Sequence, residues 1–352
     1  MKLTAPIVVL LLVLQGCASV GPKTVPQDRF NYNAAIAGSS DEQLLINLVR
    51  LRYSETPVFL KVGSVISQYS RVASANASVG ANASVAGDNT ASAGGSMTWA
   101  DRPTITYIPI SGQEFSRNLL TPIPPGAIFN LVQSGWPAEL VFPITVWSIN
   151  DIDNEVARPS KRRQADPEMT EMMTLWDRLR GAGVLGVRKA PAEEGNSYSI
   201  LFFRERQISG QLESDFRKFT GLLGIDSQSR EFPMVYGLVP RTPNEIAVLT
   251  GSVWEIMLNM SWQFEVPPEH IRTGRTDETF HSVRKGGGPP IEVRYSSQKP
   301  DDAFVAVQEH DYWFYIDQHD RKSKQNFSFL QLLLNLVETS STDHGPVFTI
   351  TN

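Results

Sequence analysis

Residues 72–100 read VASANASVGANASVAGDNTASAGGSMTWA, a stretch with one charge, Asp88, near its midpoint. Taken two at a time, Ala73, Ala75, Ala77, Val79, Ala81, Ala83 and Val85 fall on one side. Ser74, Asn76, Ser78, Gly80, Asn82 and Ser84 fall on the other. After Gly87-Asp88-Asn89 the alternation resumes, with Ala91, Ala93, Gly95, Met97 and Trp99 against Ser92, Gly94, Ser96 and Thr98. A period of two is the spacing of a strand, because successive side chains point to opposite faces of a sheet. A three-residue turn over Gly87, Asp88 and Asn89 pairs Val85 with Ala91, Ala83 with Ala93, Val79 with Met97 and Ala77 with Trp99. In that register like faces like, whereas a two-residue turn sets apolar opposite polar. The expected element is a long hairpin with one apolar and one polar face.

Each arm of roughly ten to twelve residues rises about 35–40 Å, or about 25–30 Å when tilted near 40°, the height of an outer-membrane barrel wall. A lone hairpin cannot rest in lipid, since its edges leave backbone groups unpaired at several kcal/mol each. A spanning role therefore requires several copies to close a barrel. The apolar set Ala73, Ala75, Ala77, Val79, Ala81, Ala83, Val85, Ala91, Ala93, Met97 and Trp99 would then face lipid. Ser74, Asn76, Ser78, Asn82, Ser84, Ser92, Ser96 and Thr98 would face the lumen. The same composition also suits a flexible low-complexity insertion or a soluble hairpin.

Outside this stretch, the chain opens with Met1-Lys2, runs apolar from Ala5 to Leu14 and reaches Leu14-Gln15-Gly16-Cys17. A short positive region, a brief apolar core and small residues before a cut are the parts of a secretory signal. The Leu-x-Gly-Cys ending resembles the lipobox of bacterial lipoproteins. That resemblance implies removal of residues 1–16, diacylglycerol on the sulfur of Cys17 and an acyl chain on its new amino terminus. Ala18 and Ser19 follow without the aspartate that resembles an inner-membrane retention signal. The implied address is the periplasmic face of the outer membrane. Acyl chains at about 0.8 kcal/mol per buried methylene anchor the chain without help from the hairpin.

Cys17 is the single cysteine of the 352 residues, so its lipidation leaves no thiol for redox, nucleophilic or thiolate-metal chemistry. With 32 Lys and Arg against 37 Asp and Glu, the chain is mildly acidic, which argues against nucleic acid as a partner. The expected partners are the outer membrane through the lipid, further copies of the chain, and other envelope proteins. No cofactor beyond the lipid is expected.

Residues 17–39 show no period and read as a tether. Residues 40–352 read as a periplasmic α+β body with mixed and antiparallel sheets and a hairpin over about 65–110, with a subdomain break near 150–166. A Ser40/Gln43 capping box opens a helix to about Tyr53. Strands over 58–62 and 64–69 lead into the hairpin, and residues 102–108 return in a register that sets Tyr69 against Tyr107. Ser111 with Glu114 opens a short helix, a second helix is closed by Gly135, and Glu139–Ile149 reads as an edge strand because of Pro143. Lys161-Arg162-Arg163 reads as a solvated loop. Asp166-Pro167-Glu168 starts a helix with Met169, Met172, Met173, Trp176 and Leu179 on its core face. Strand, helix and strand follow over 198–204, 211–223 and 232–239. Thr242-Pro243-Asn244-Glu245 reads as the start of a long helix through Met257. Thr273–Pro290 reads as an exposed loop, strands are expected at 291–296, 303–307 and 312–316, a buried helix at 320–337, and a strand at 346–351.

Catalytic signatures are scarce, and no enzyme activity is expected; a scaffold that binds another envelope component is the alternative to a pore, and a cell-envelope hydrolase a further one. Gly181, Gly183 and Gly186 match the dinucleotide pattern GxGxxG, but in the order helix then strand, the reverse of what holds a pyrophosphate. The densest histidine groups, Glu309-His310-Asp311 and Asp317-Gln318-His319-Asp320, sit at opposite ends of one expected strand, about 17–20 Å apart. No metal site is therefore assigned.

Overall fold

The computed structural model describes residues 21–66, 69–80, 90–101, 104–158, 161–190, 198–204, 210–282 and 289–339. Cys17, Ala81, Asn82, Ala83, Ser84, Val85 and the expected strand at 346–351 lie outside them. The chain is α+β and divides into two compact units. Residues 1–40 and 60–109 form one, and residues 41–59 and 110–352 form the other. The segment 150–166 lies within the second unit, so the division does not fall there.

Helix α1, Gly21–Arg52, takes in most of the expected tether. Ser40 does not cap it. Its hydroxyl donates to Ile36 O at 2.9 Å, four residues back within a continuous helix. The buried turns from Leu44 to Arg52 propagate backwards through Ala34-Ala35-Ile36-Ala37, good helix formers that need no apolar face. At its other end Ser54 takes a left-handed φ of 60°. Glu55 N then donates to Arg50 O and Ser54 N to Leu51 O, a Schellman closure.

In the first unit, β1 (Leu60–Ile66) pairs with β4 (Thr104–Pro109), and β2 (Tyr69–Gly80) with β3 (Thr90–Asp101), all antiparallel. The arms of a hairpin are therefore present, but in another register than the turn at Gly87–Asn89 requires. Ala77 lies opposite Ala93, Val79 opposite Ala91, Ala73 opposite Met97 and Tyr69 opposite Asp101; Tyr107 lies opposite Val62. The expected pairings within β2–β3 are displaced by six residues, and that of Tyr107 by seven, the odd one being the extra residue between Val62 and Ser64. An even displacement returns each side chain to the same face, and small-residue strands discriminate weakly between such registers. Nor are β1 and β4 extensions of a body sheet, because they form a two-stranded sheet of their own.

The second unit is built on a six-stranded sheet, ordered β6-β5-β12-β11-β10-β9. Its strands are β5 Val146–Ile149, β6 Ile152–Asp153, β9 Leu185–Lys189, β10 Ser199–Phe203, β11 Glu231–Tyr236 and β12 Ile246–Thr250. β11 and β12 run parallel and their neighbours antiparallel. A short helix, α2 (Gly112–Phe115), continues into a π turn at Ser116–Leu120; α3 (Pro125–Gln133) and α4 (Ala138–Thr145) follow. The first half of the expected edge strand is thus helix α4. An apolar run cannot be assigned by period, and Pro137 starts this one as helix.

Helix α5 (Pro167–Gly181) has the expected bounds and buries Met169, Met172, Met173, Trp176 and Leu179. With α6 (Gly210–Leu223) it supplies an aromatic cluster in which Trp176 meets Phe129, Phe142 and Phe219 at ring separations of 4.9, 5.5 and 6.1 Å. Fully burying side chains of this size is worth about 1.5–3 kcal/mol each.

Two further expectations are corrected here. Residues 242–245 do not start a helix; strand β12 follows, and helix α7 (Val253–Ser261) begins at a capping box made by Ser252 and Glu255. Lys161–Arg163 is strand β8, paired with β7 (Val156–Arg158), and Arg163 donates to Trp147 O and Asn154 O. The basic run is partly a structural tie. The glycine pattern does stand between helix and strand, and Gly186 is required because a Cβ there would lie 2.6 Å from the Phe202 ring.

A short helix α8 (Pro268–Arg272) precedes a three-stranded sheet, β13-β15-β14: Arg294–Ser296, Tyr312–Asp317 and Ala303–Glu309. Val305, Val307, Phe314 and Ile316 are buried in the same core as Phe327, Leu330 and Leu333 of helix α9, Arg321–Thr339. The segment after Thr273 is not an open loop. Arg52, fully buried at 1% exposure, donates to Thr276 Oγ1, Asp277 O and Thr279 Oγ1, and stacks 4.7 Å from the Trp262 ring. Burial brings its pKa down to about 10, so it remains a cation held mainly by neutral acceptors.

Candidate functional site

The hairpin brings together most of the residues singled out above. Backbone pairing sets Ala73, Ala75, Ala77 and Val79 across from Met97, Gly95, Ala93 and Ala91. Ser74, Asn76 and Ser78 lie across from Ser96, Gly94 and Ser92. The two composition classes therefore keep separate faces. Ser74, Ser96 and Thr98 are exposed, and the hydroxyls of Ser74 and Ser96 bond across the strands at 2.6 Å. Arg71 lies opposite Trp99 and Tyr69 opposite Asp101, so charge and aromatic residues collect at the open end of the β2–β3 ladder.

The β1–β4 ladder holds a second apolar set. Leu60, Val62 and Val65 pair with Pro109, Tyr107 and Ile105. The step from Val62 to Val65 breaks strict alternation, and the register shift between Val62 and Ser64 absorbs the extra residue, Gly63. That bulge keeps both apolar runs on one face. Gly63 is suited to it, since a Cβ would lie 2.7 Å from Ile108 Cδ1. Leu60, Ile66, Ile105, Tyr107 and Ile108 are 40–54% exposed, a concentration of large apolar side chains left in water. Both ladders are two-stranded, so among the described residues each strand has one edge without a β partner.

A second concentration of chemistry lies in the other unit, and only part of it was expected. Tyr53 Oη and His270 Nδ1 are 2.7 Å apart and buried. The Tyr53 ring lies 4.2 Å from that of His310, and His270 lies 5.3 Å from Tyr312. Burial raises the Tyr53 hydroxyl above its ordinary range and, with Arg275 nearby, lowers His270 below that of a free imidazole. The two histidine groups of the sequence stay apart. His310 faces Tyr53 and Glu55, whereas His319 faces Asp302 and Asp317. The void in the aromatic core, lined by Phe129, Ile149, Met172, Trp176, Leu201 and Phe219 among others, is wholly apolar and offers no group for chemistry.

Sequence reasoning missed Tyr53, Glu55 and His270 because they come from the end of α1 and from α8, more than 200 residues apart. The only local signals were a helix stop at Ser54 and a Pro-Pro-Glu-His run at 267–270. Comparison with family models, with curated proteins and with solved structures finds no match.

Proposed function

We propose that the chain is an outer-membrane-anchored lipoprotein whose copies associate and each contribute the Leu60–Pro109 hairpin to a shared β-barrel pore, as a structural and transport component of the envelope. In layout this is similar to oligomeric secretion channels built from lipoproteins. The observation that supports it is the β2–β3 ladder, in which apolar residues pair with apolar and small polar residues with small polar ones, and whose outer edges have no β partner among the described residues. Such a hairpin is at best marginal alone in water, and in lipid its unpaired edges are prohibitive. Pairing β2 of one copy with β3 of the next satisfies both edges at once and, repeated by rotation, closes a ring.

The dimensions agree. β2 and β3 have 12 residues each, about 40 Å of strand or about 30 Å of height at a tilt near 40°, close to a hydrocarbon core. The Arg71–Trp99 and Tyr69–Asp101 pairs then fall where the wall leaves lipid, the depth at which aromatic rings are favoured. β1 and β4 continue as a stem beneath the membrane, with Leu60, Ile105 and Tyr107 exposed on one face and Ile66 and Ile108 on the other, to be covered by the neighbouring copies.

Negative-stain electron microscopy of the detergent-extracted, lipidated protein tests this, with a deletion of residues 70–100 alongside. Rings with a detergent belt that disappears in the deletion are expected. Single small particles in both samples would remove the pore and leave a scaffold.

A further inference from the structure

We infer that Glu55, Glu309 and His310 form a binding site for a divalent transition-metal ion of the zinc class. One donor atom from each of the three residues lies within 4.8 Å of the others. Two donors on one tetrahedral ion, each about 2.0–2.2 Å from it, stand about 3.3–3.6 Å apart. A side-chain adjustment of up to about 1.5 Å therefore closes the set, and Glu55, with 44% of its side chain exposed, has room to make it. One imidazole and two carboxylates suit a borderline cation better than Mg2+ or Ca2+, which take oxygen donors alone.

His310 Nε2 is shut off from water and makes no hydrogen bond, although Glu55 Oε1 is 3.3 Å away. That nitrogen faces a carboxylate oxygen without an aligned hydrogen bond. The two carboxylates repel one another, and Arg50, whose Nε donates to Glu309 Oε1 at 3.1 Å, brings a single positive charge to them. A divalent ion would neutralise the excess and engage the nitrogen.

The surroundings also hold the donors in place, as outer groups do at metal sites. Arg50 engages one oxygen of Glu309 and leaves the other available. The His310 ring lies against Tyr53, which is itself bonded to His270. Glu55 is set by the Schellman closure of α1, and His310 by a two-residue turn with φ of 53° and 69° at His310 and Asp311. The three protein donors leave at least one coordination position for water. The ion would pin the end of α1 to the tip of the β14–β15 hairpin.

Cobalt(II) titration of the full detergent-extracted chain, followed by its visible d–d absorption and by displacement with Zn2+, tests the assignment. One ion per chain and a spectrum typical of nitrogen and oxygen donors are expected. Glu55→Gln and His310→Gln should each weaken binding more than ~10-fold, since even changes to outer groups cost that much at metal sites. His319→Ala removes a histidine that is 82% exposed beside Asp302 and Asp317, and should change nothing. Should His310→Gln fail to fold, Glu55→Gln decides, because its side chain reaches solvent. Absence of a cobalt spectrum, unchanged affinity in Glu55→Gln, or equal loss in His319→Ala would each overturn the site.

Discussion

Two antiparallel hairpins of this chain are built on opposite terms. In Ala303–Asp317 the strands join through a two-residue turn, a third strand adds to one edge, and Val305, Val307, Phe314 and Ile316 are buried in a core shared with α9. In Leu60–Pro109 the arms are longer, each ladder stops at two strands, and Leu60, Ile66, Ile105, Tyr107 and Ile108 stay exposed. The first hairpin is finished by its own chain. The second, among the described residues, is left as two-stranded ladders, and exposed apolar side chains gathered on such a ladder are a surface that a further copy would cover in the proposed pore.

The sharpest way to break this contrast is a charge on the apolar face of the long hairpin. Ala77→Asp is expected to abolish conductance in planar bilayers. A charge on the lipid face costs up to about 2–4 kcal/mol at mid-depth for Lys or Arg, less for an acid, and the cost repeats in every copy. Ser78→Asp, on the other face, should still assemble and shift ion selectivity towards cations. Equal tolerance at both positions would show that the faces are not lipid and lumen.

In the finished hairpin the corresponding change is Phe314→Ala. It should lower the stability of the body by about 3–5 kcal/mol in denaturant unfolding, because Phe314 is 1% exposed and leaves a cavity. It should not alter ring formation at permissive temperature. Arg52→Ala comes next, at about 3 kcal/mol, since Phe264 O, Asp277 O and two threonine hydroxyls lose a charged donor. Its specific mark is earlier proteolysis within 273–282 than in the parent chain.

The smallest effect concerns pH. His270 is held neutral in the folded state below its ordinary range, whereas the unfolded chain binds the proton near the ordinary value of about 6.5. Its contribution is therefore complete above about pH 6.5 and is lost as pH falls through the lowered folded value. His270→Gln should flatten the acid side of the stability profile recorded by thermal unfolding between about pH 7 and 4.5. An unchanged slope would mean that other groups carry the acid sensitivity.

Register gives the comparison a finer edge. Tertiary pairing sets Asn76 opposite Gly94, whereas the turn read from residues 87–89 sets Asn76 opposite Ala100. The two differ by an even step, so alternation, which is a period of two, reports the face and is blind to the shift. The two ladders carry the same register, from Ile66 opposite Thr104 in one to Tyr69 opposite Asp101 in the other.

What the sequence determined by itself is what local physics controls. The alternation over 72–80 and 90–100 specified strand, Asp166-Pro167-Glu168 and the methionine spacing specified α5 and its buried side, and the α+β class followed from the mixture of periods. Short apolar runs such as 139–145 were illegible because a helix and a strand bury them equally well, and the second helix start was misplaced by ten residues for want of the context that made 246–250 a strand. The meeting of Arg52 with Thr276–Thr279, of Tyr53 with His270, and of Glu55 with Glu309 and His310 was decided only by tertiary structure. No periodicity links groups separated by more than 200 residues; only the packing of Arg52 and the residues just after α1 against residues 264–310 brings them within bonding distance.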